Sequence, residues 1–224
     1  MELTELMQKK LNSGREYRSM TMAAKEDTED YVVEGYATTF DEPYYLYTTQ
    51  NKKGEEVQVF EQVDRDAFTN ADLTDVIFQY DHEGRVFARL SNDTLKLNAD
   101  EHGLNVTAYL GGTETGRNLY EEIKGGYTNK MSFGFTVKAD NVKPDGDRRY
   151  LRTITEVGKL FDVSAVSYPQ NNFTEISARS HIDGVIDEVE TERIRLEEAE
   201  ELRREQREAL MNKVKALRKD TNGN

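Results

Sequence analysis

The 224-residue chain has no cysteine, no tryptophan and only three prolines. Without thiols, disulfide frameworks, thiolate zinc sites and cysteine nucleophiles are excluded, and folding in a reducing cytosol is the natural expectation. No run approaches the roughly 18 consecutive apolar residues of a spanning helix. The opening MELTELMQKKLNSGREYRSM also lacks the long apolar core of a signal peptide, so the sequence predicts a protein neither exported nor inserted into a membrane. Basic residues are in deficit: 30 Lys and Arg against 43 Asp and Glu give a formal charge of −13. That balance argues against a general affinity for nucleic acid or anionic lipid, each of which needs a basic patch.

Apolar residues are sparse too, at 36% against 33% charged, but they are unevenly spread. The alternating apolar pattern lies between about Tyr31 and Arg179, and from about Asp183 onward the chain is mostly Glu, Arg and Lys. This divides the chain into an N-terminal arm over 1–29, a folded domain over 30–180 and a charged helical or flexible tail over 181–224. Residues 2–12 have near-helical spacing, broken at Asn12, Ser13 and Gly14, which predicts a short lead-in helix or a frayed arm. YVVEGYATTF and EEVQVFEQV carry strand patterns. The segment from Thr74 to Leu110 divides into four strands of an antiparallel meander, with turns at Glu83-Gly84, Asn92-Asp93 and His102-Gly103. TETGRNLYEEIKGG is helical in pattern: Thr113 caps it, Leu119 and Ile123 share a face, and Gly125 ends it. KMSFGFTVKAD, RRYLRTITEVGKL and LFDVSAVSY follow as strands leading to Pro169. From Asp183 to Asp220 the pattern is that of a long solvated helix or weak coiled coil, whose line Val189, Leu196, Arg203, Leu210, Leu217 is interrupted by Arg203.

The strand around Ser132 is the most informative piece. A period of two sends Met131, Phe133, Phe135 and Val137 to one face and Ser132, Gly134 and Thr136 to the other. Gly134 beside Ser132 leaves room above the hydroxyl for a substrate backbone. On composition alone, a serine on the open face of a strand is ordinary. His82 follows VIFQYD, in which alternation puts Val76, Phe78 and Tyr80 on one strand face with it, so the imidazole is expected where a buried face meets a turn. A serine hydroxyl becomes a good nucleophile only when a neighbouring imidazole takes its proton, so His82 is a candidate base; the plain alternative is a histidine that ends a strand. Asp162 in LFDVSAV shares a face with Leu160, Ser164 and Val166, and a carboxylate among such neighbours needs a partner, which an imidazole would supply.

Other chemistries fit less well. HEGRV begins like the zinc-protease pattern H-E-x-x-H, but position 86 is Val. The lipase-like G-x-S-x-G is absent because position 130 is Lys. Lys130 shares the face of Ser132, so a Ser-Lys dyad is conceivable, though it requires a desolvated lysine and a solvated one is the simpler account.

Taken in order, these segments resemble the prohead maturation proteases of tailed phages, a serine-protease family thought to share its fold with the herpesvirus assemblins. VEGYATTFDEP looks like the family's opening strand and turn, FEQVDRDAF its segment ending in Gly-Ala-Phe, and QYDHEGRVFARL its histidine motif. LKLNADEHGLNVTAYL is similar to the paired strands that follow, TGRNLYEEIKGGYTNKMSFGF to the helix and serine motif, and LFDVSAVSYPQNNFTEISAR to the closing segment. Six matches in one order over roughly Val32 to Arg179 make a specific signal. Departures are Asp81 where Asn commonly precedes the histidine, Asp66 in place of Gly, and Asp162 where Glu is common. Herpesvirus relatives use a second histidine as third member, but His102 and His181 lie outside the matching motifs, so Asp162 is preferred.

The resemblance implies a mixed α+β, strand-rich fold: an antiparallel β-barrel-like core with a few helices, extended by the long charged C-terminal helix. It implies a serine endopeptidase with Ser132, His82 and Asp162 as its catalytic residues, needing no cofactor or metal. Substrates would be scaffold segments and extensions of the major capsid protein, cut inside the procapsid in the host cytoplasm. Self-cleavage and homo-oligomerisation are compatible with this role, and nucleic-acid or membrane partners are not expected. Arg148, Arg149 and backbone amides of the 144–153 turn are candidate oxyanion donors. The competing class is non-enzymatic: an assembly chaperone or scaffold that keeps a protease-like domain without activity.

Overall fold

The computed structural model describes residues 14–25, 30–167 and 174–221. Among them are strands β1 (Arg15–Ala24), β2 (Val32–Thr39), β3 (Tyr44–Gln50), β4 (Glu56–Val63), β5 (Ile77–Tyr80), β6 (Glu83–Arg89), β7 (Leu95–Ala99), β8 (Gly103–Tyr109), β9 (Lys130–Pro144) and β10 (Arg149–Val166). Two helices accompany them, α1 (Glu114–Lys124) and α2 (Thr174–Thr221). The expected lead-in helix over 2–12 and the turn at Pro169 lie outside the described residues.

The fold is mixed α+β and strand-rich, but the sheet is open and the expected antiparallel barrel is corrected. Its path runs β3-β4-β10-β9-β1-β2-β8-β7, with β5 and β6 branching off β10. The cause lies in β10, an 18-residue strand where the sequence pattern suggests two. Its first part pairs in parallel with β4 and its second, Asp162–Ala165, in parallel with β5. A strand that changes partner along its length splits the sheet instead of closing a ring, and register breaks between Ile154 and Asp162 bend it between the two partners. One isolated bridge, Phe40 to Val63, joins the end of β2 to β4 without becoming a ladder. The expected four-strand meander is likewise two separate hairpins, because β5 pairs with β10 and β8 with β2.

Helix α1 forms as its sequence predicts. The Thr113 hydroxyl accepts the Gly116 N–H at 3.0 Å, satisfying one of the orphan donors of the first turn. Leu119, Tyr120 and Ile123 are buried on one face.

Among the described residues, two apolar clusters form the core. The larger contains Phe78, Met131, Phe133, Phe135, Leu160 and Val163; the smaller contains Tyr47, Val57, Val59, Val142 and Tyr150, closed by Ile182 and Ile186 of α2. The first turns of the charged tail are therefore packed onto the sheet. Beyond them Leu196, Leu202, Leu210 and Met211 are exposed, so that part of α2 stands in solvent as the mixed-charge pattern predicts.

Between the clusters runs a buried ionic network. Along β10, Tyr150 belongs to one cluster and Ile154 to the other, with Arg152 between them. Arg152 bonds Glu16 at 2.6 and 2.9 Å, Glu61 at 2.8 Å and Asp140 at 2.6 Å. Arg18 bonds Glu61 at 2.5 and 2.7 Å and Glu16 at 2.7 Å, and Tyr44 donates to Glu61. Ions removed from water must be paired and hydrogen-bonded in this way, or the cost of desolvation dominates.

Candidate active site

Strand β9 sorts its side chains as its period of two requires: Met131, Phe133 and Phe135 are fully buried in the larger cluster. Ser132 and Gly134 project to the other face. Across the ladders Ser132 lies opposite Ser164 of β10 and Ser19 of β1, while Gly134 lies opposite Asp162 and Tyr17. Directly opposed residues share a face, so Tyr17, Ser132, Asp162 and Ser164 form one patch.

His82 reaches this patch from the connection between β5 and β6. Tyr80 pairs with Glu83, so Asp81 and His82 are the two central residues of the hairpin, and both have positive φ, 49° and 59°. Positive φ at both centres is the signature of a type I′ turn, whose twist matches the flanking strands. Asp and His tolerate this region better than most side chains. The turn breaks the strand alternation, which takes the imidazole off the Val76, Phe78, Tyr80 face and over β10.

There His82 Nδ1 lies 2.5 Å from Asp162 Oδ1 and Nε2 lies 2.8 Å from Ser132 Oγ. A carboxylate can only accept, so in the neutral imidazole Nδ1–H donates to Asp162 and Nε2 is left to accept the Ser132 hydroxyl proton. The Ser164 hydroxyl, fully buried, donates to the same Asp162 oxygen at 2.9 Å. Tyr17 packs its ring against the imidazole edge to face, with centroids 4.4 Å apart. Burial and the Asp162 charge raise the Tyr17 phenol above its ordinary value, with Arg15 opposing, so at neutral pH it stays protonated.

A hydroxyl, an imidazole and a carboxylate joined in series are the arrangement that activates an oxygen nucleophile. A family model described as caudovirus prohead serine protease matches residues 18–187. The chain belongs to that family. The match runs from Arg18 in β1 to Asp187 in α2, so it takes in the β9–β10 ladder, the β5–β6 turn and the packed first turns of the tail, while Tyr17 lies just outside it. No curated protein and no solved structure matches the chain.

Other residues singled out in the sequence lie elsewhere. Lys130 Nζ donates to Thr21 Oγ1 at 3.2 Å. Arg148 and Arg149 sit at the β9–β10 hairpin, where they pair with Glu55 at 3.8 Å and Asp145 at 2.9 Å. Tyr150 lies opposite Pro144 near that hairpin, whereas Ser132 lies opposite Ser164 towards the other end of the same ladder, so the two arginines are not brought to the patch. His102 meets Tyr36 edge to face, and His181 of α2 approaches Asp140 at 3.2 Å.

The space above Gly134 is also filled differently from the expectation. A Cβ there would lie 2.7 Å from Asp162 Oδ2 and 2.8 Å from the Tyr17 ring, so the glycine makes room for these two groups and not for substrate backbone. Tyr17 and Ser164 are the contributors to the patch that sequence reasoning missed. Ser164 carries a legible signal, two residues from Asp162 on the same strand face. Tyr17 carries none, because it lies in a segment that reads as an arm.

Proposed function

We propose that the chain is a serine endopeptidase of phage procapsid maturation, with Ser132 as nucleophile, His82 as general base and Asp162 as the group that orients the imidazole. The observation that carries this is the unbroken hydrogen-bond series from Ser132 through His82 to Asp162, within a chain of the prohead serine protease family. His82 Nε2 takes the hydroxyl proton as Ser132 Oγ attacks the scissile carbonyl, and the imidazolium formed is held by Asp162. The tetrahedral intermediate collapses as His82 returns that proton to the departing amine, leaving an acyl-enzyme. Water, deprotonated by the same imidazole, then clears the acyl group and restores Ser132. Substrates are scaffold segments and major-capsid-protein extensions inside the immature shell in the host cell.

The test is co-expression with the capsid precursor, read by mass spectrometry of the products, together with labelling by a fluorophosphonate probe. Wild type cleaves and is labelled at Ser132. Ser132→Ala keeps the circular dichroism spectrum and loses both, and Asp162→Asn keeps the fold while kcat falls on the order of 10⁴-fold. Processing by Ser132→Ala, or a wild type that neither cleaves nor labels, rejects the enzyme in favour of a protease-like assembly factor.

A further inference from the structure

We propose that Asp81 is the positioning residue for His82, acting by fastening the turn that carries the imidazole to the end of β10; this rests on the Ser132–His82–Asp162 reading above. Both oxygens of the Asp81 carboxylate are committed to one residue. Oδ1 accepts the Ser167 N–H at 2.8 Å and Oδ2 accepts the Ser167 hydroxyl at 2.8 Å. The Asp81 N–H donates to the Ala165 carbonyl at 2.8 Å, which carries the parallel β5–β10 ladder one residue past its Tyr80–Ala165 pair and into the turn.

The turn needs such a restraint for two reasons. Asp81 and His82 both occupy the left-handed region, which non-glycine residues adopt only when their surroundings require it. The strand on the far side of the turn is held more loosely: the register breaks between the Tyr80–Glu83 and Phe78–Ala88 pairs, Glu83, Gly84, Arg85 and Val86 are all exposed, and Arg85 reaches Thr115 at 3.3 Å. The β10 side supplies the closer fastening. Asp162, the partner of the imidazole, is itself on β10, so fastening the turn to Ala165 of that strand and to Ser167 just past its end ties donor and acceptor to one element. Transfer of a proton between Ser132 and His82 depends on that placement, since small displacements of a reacting group cost disproportionately in rate.

Asp81 and Ser167 are exposed, so substitutions there spare the core. The experiment uses the full chain and compares wild type with Asp81→Ala, Asp81→Gly, Asp81→Asn and Ser167→Ala. It reads kcat and KM on the capsid precursor and the low-field proton resonance of the His82 Nδ1–H bonded to Asp162. In Asp81→Ala, kcat falls on the order of 10²-fold with KM little changed, and the resonance broadens or is lost. Asp81→Gly behaves like the alanine variant, because it tolerates positive φ but cannot hold Ser167. Asp81→Asn recovers most of the activity, since its amide can accept the Ser167 N–H and donate to the Ser167 oxygen. Ser167→Ala falls between alanine and asparagine, having kept the backbone bond.

Wild-type kcat and resonance in Asp81→Ala overturn the proposal. So does an asparagine variant as damaged as alanine, which would make the charge the active feature, or an active glycine variant, which would make it the turn conformation alone. The resonance measured in a Ser132→Ala background tests Asp81 without turnover, so a failure here is separable from a failure of the protease reading, which the probe labelling of wild type decides.

Discussion

Replacing Arg18 by methionine isolates the buried ionic network, because methionine retains the length of the stem while removing the charge. The guanidinium loses two bonds to Glu61 at 2.5 and 2.7 Å, one to Glu16 at 2.7 Å and one to the Tyr17 carbonyl at 2.8 Å. Glu61, with 0% exposure, is then left with Arg152 and the Tyr44 hydroxyl. Removing one partner of a buried ion pair costs about 3–5 kcal/mol, a substantial part of the ~5–15 kcal/mol that a domain has in total. The effect has a pH signature. Burial pushes the Glu61 carboxyl up; Arg18, by charge and hydrogen bond and with help from Arg152 and Tyr44, outweighs it and lowers the group from 4.5 to about 2. A depressed carboxylate contributes stability above the ordinary carboxylate range and loses it as pH falls from about 4.5 towards about 2, here on the order of 3 kcal/mol. In Arg18→Met the burial remains and its main opponent is gone, so Glu61 takes up a proton at higher pH than in wild type. The stability gap between wild type and variant must therefore narrow as pH falls. Urea unfolding followed by circular dichroism at about pH 7.5 and about pH 3 measures both quantities. A neutral-pH gap under about 1 kcal/mol, or a gap independent of pH, refutes the reasoning.

Gly134→Ala introduces a Cβ 2.7 Å from Asp162 Oδ2 and 2.8 Å from Tyr17, closer than such atoms pack, so one of the two must move. The fold survives and kcat falls on the order of 10²-fold; steady-state kinetics returning the wild-type value would show that the glycine is not making room for the carboxylate. Ile186→Ala truncates a side chain 1% exposed beneath α2 and costs about 2–5 kcal/mol, lowering Tm by roughly 5–15 °C in calorimetry. Because Ile186 belongs to the smaller cluster and Ser132 lies over the larger, kcat at low temperature is retained in that variant.

Much of the local structure is written in the chain. Thr113, the Leu119–Ile123 spacing and Gly125 specify α1, and the alternation Met131, Phe133, Phe135 sends Ser132 to the opposite side of its strand. These features are readable because each depends on residues a few positions apart, whose helical or extended periodicity sorts apolar from polar groups. β1 is illegible for the complementary reason: its inward positions hold Glu16 and Arg18, and only ion pairing with Glu61 and Arg152, distant in sequence, makes those charges acceptable inside. The strand pattern is thus present with charged residues at two of its inward positions, and the segment reads as an arm.

The openness of the sheet was equally out of reach, since nothing in the run from Arg149 to Val166 announces that one strand exchanges β4 for β5 along its length. The sequence by itself singled out Ser132, His82 and Asp162 as candidates and set the strand face of Ser132, because side-chain type and a period of two are local properties. Only the tertiary structure decided their distances. A turn with two left-handed residues swings His82 across β10 to meet Asp162 at 2.5 Å and Ser132 at 2.8 Å, and that crossing depends on parallel pairing between segments some eighty residues apart.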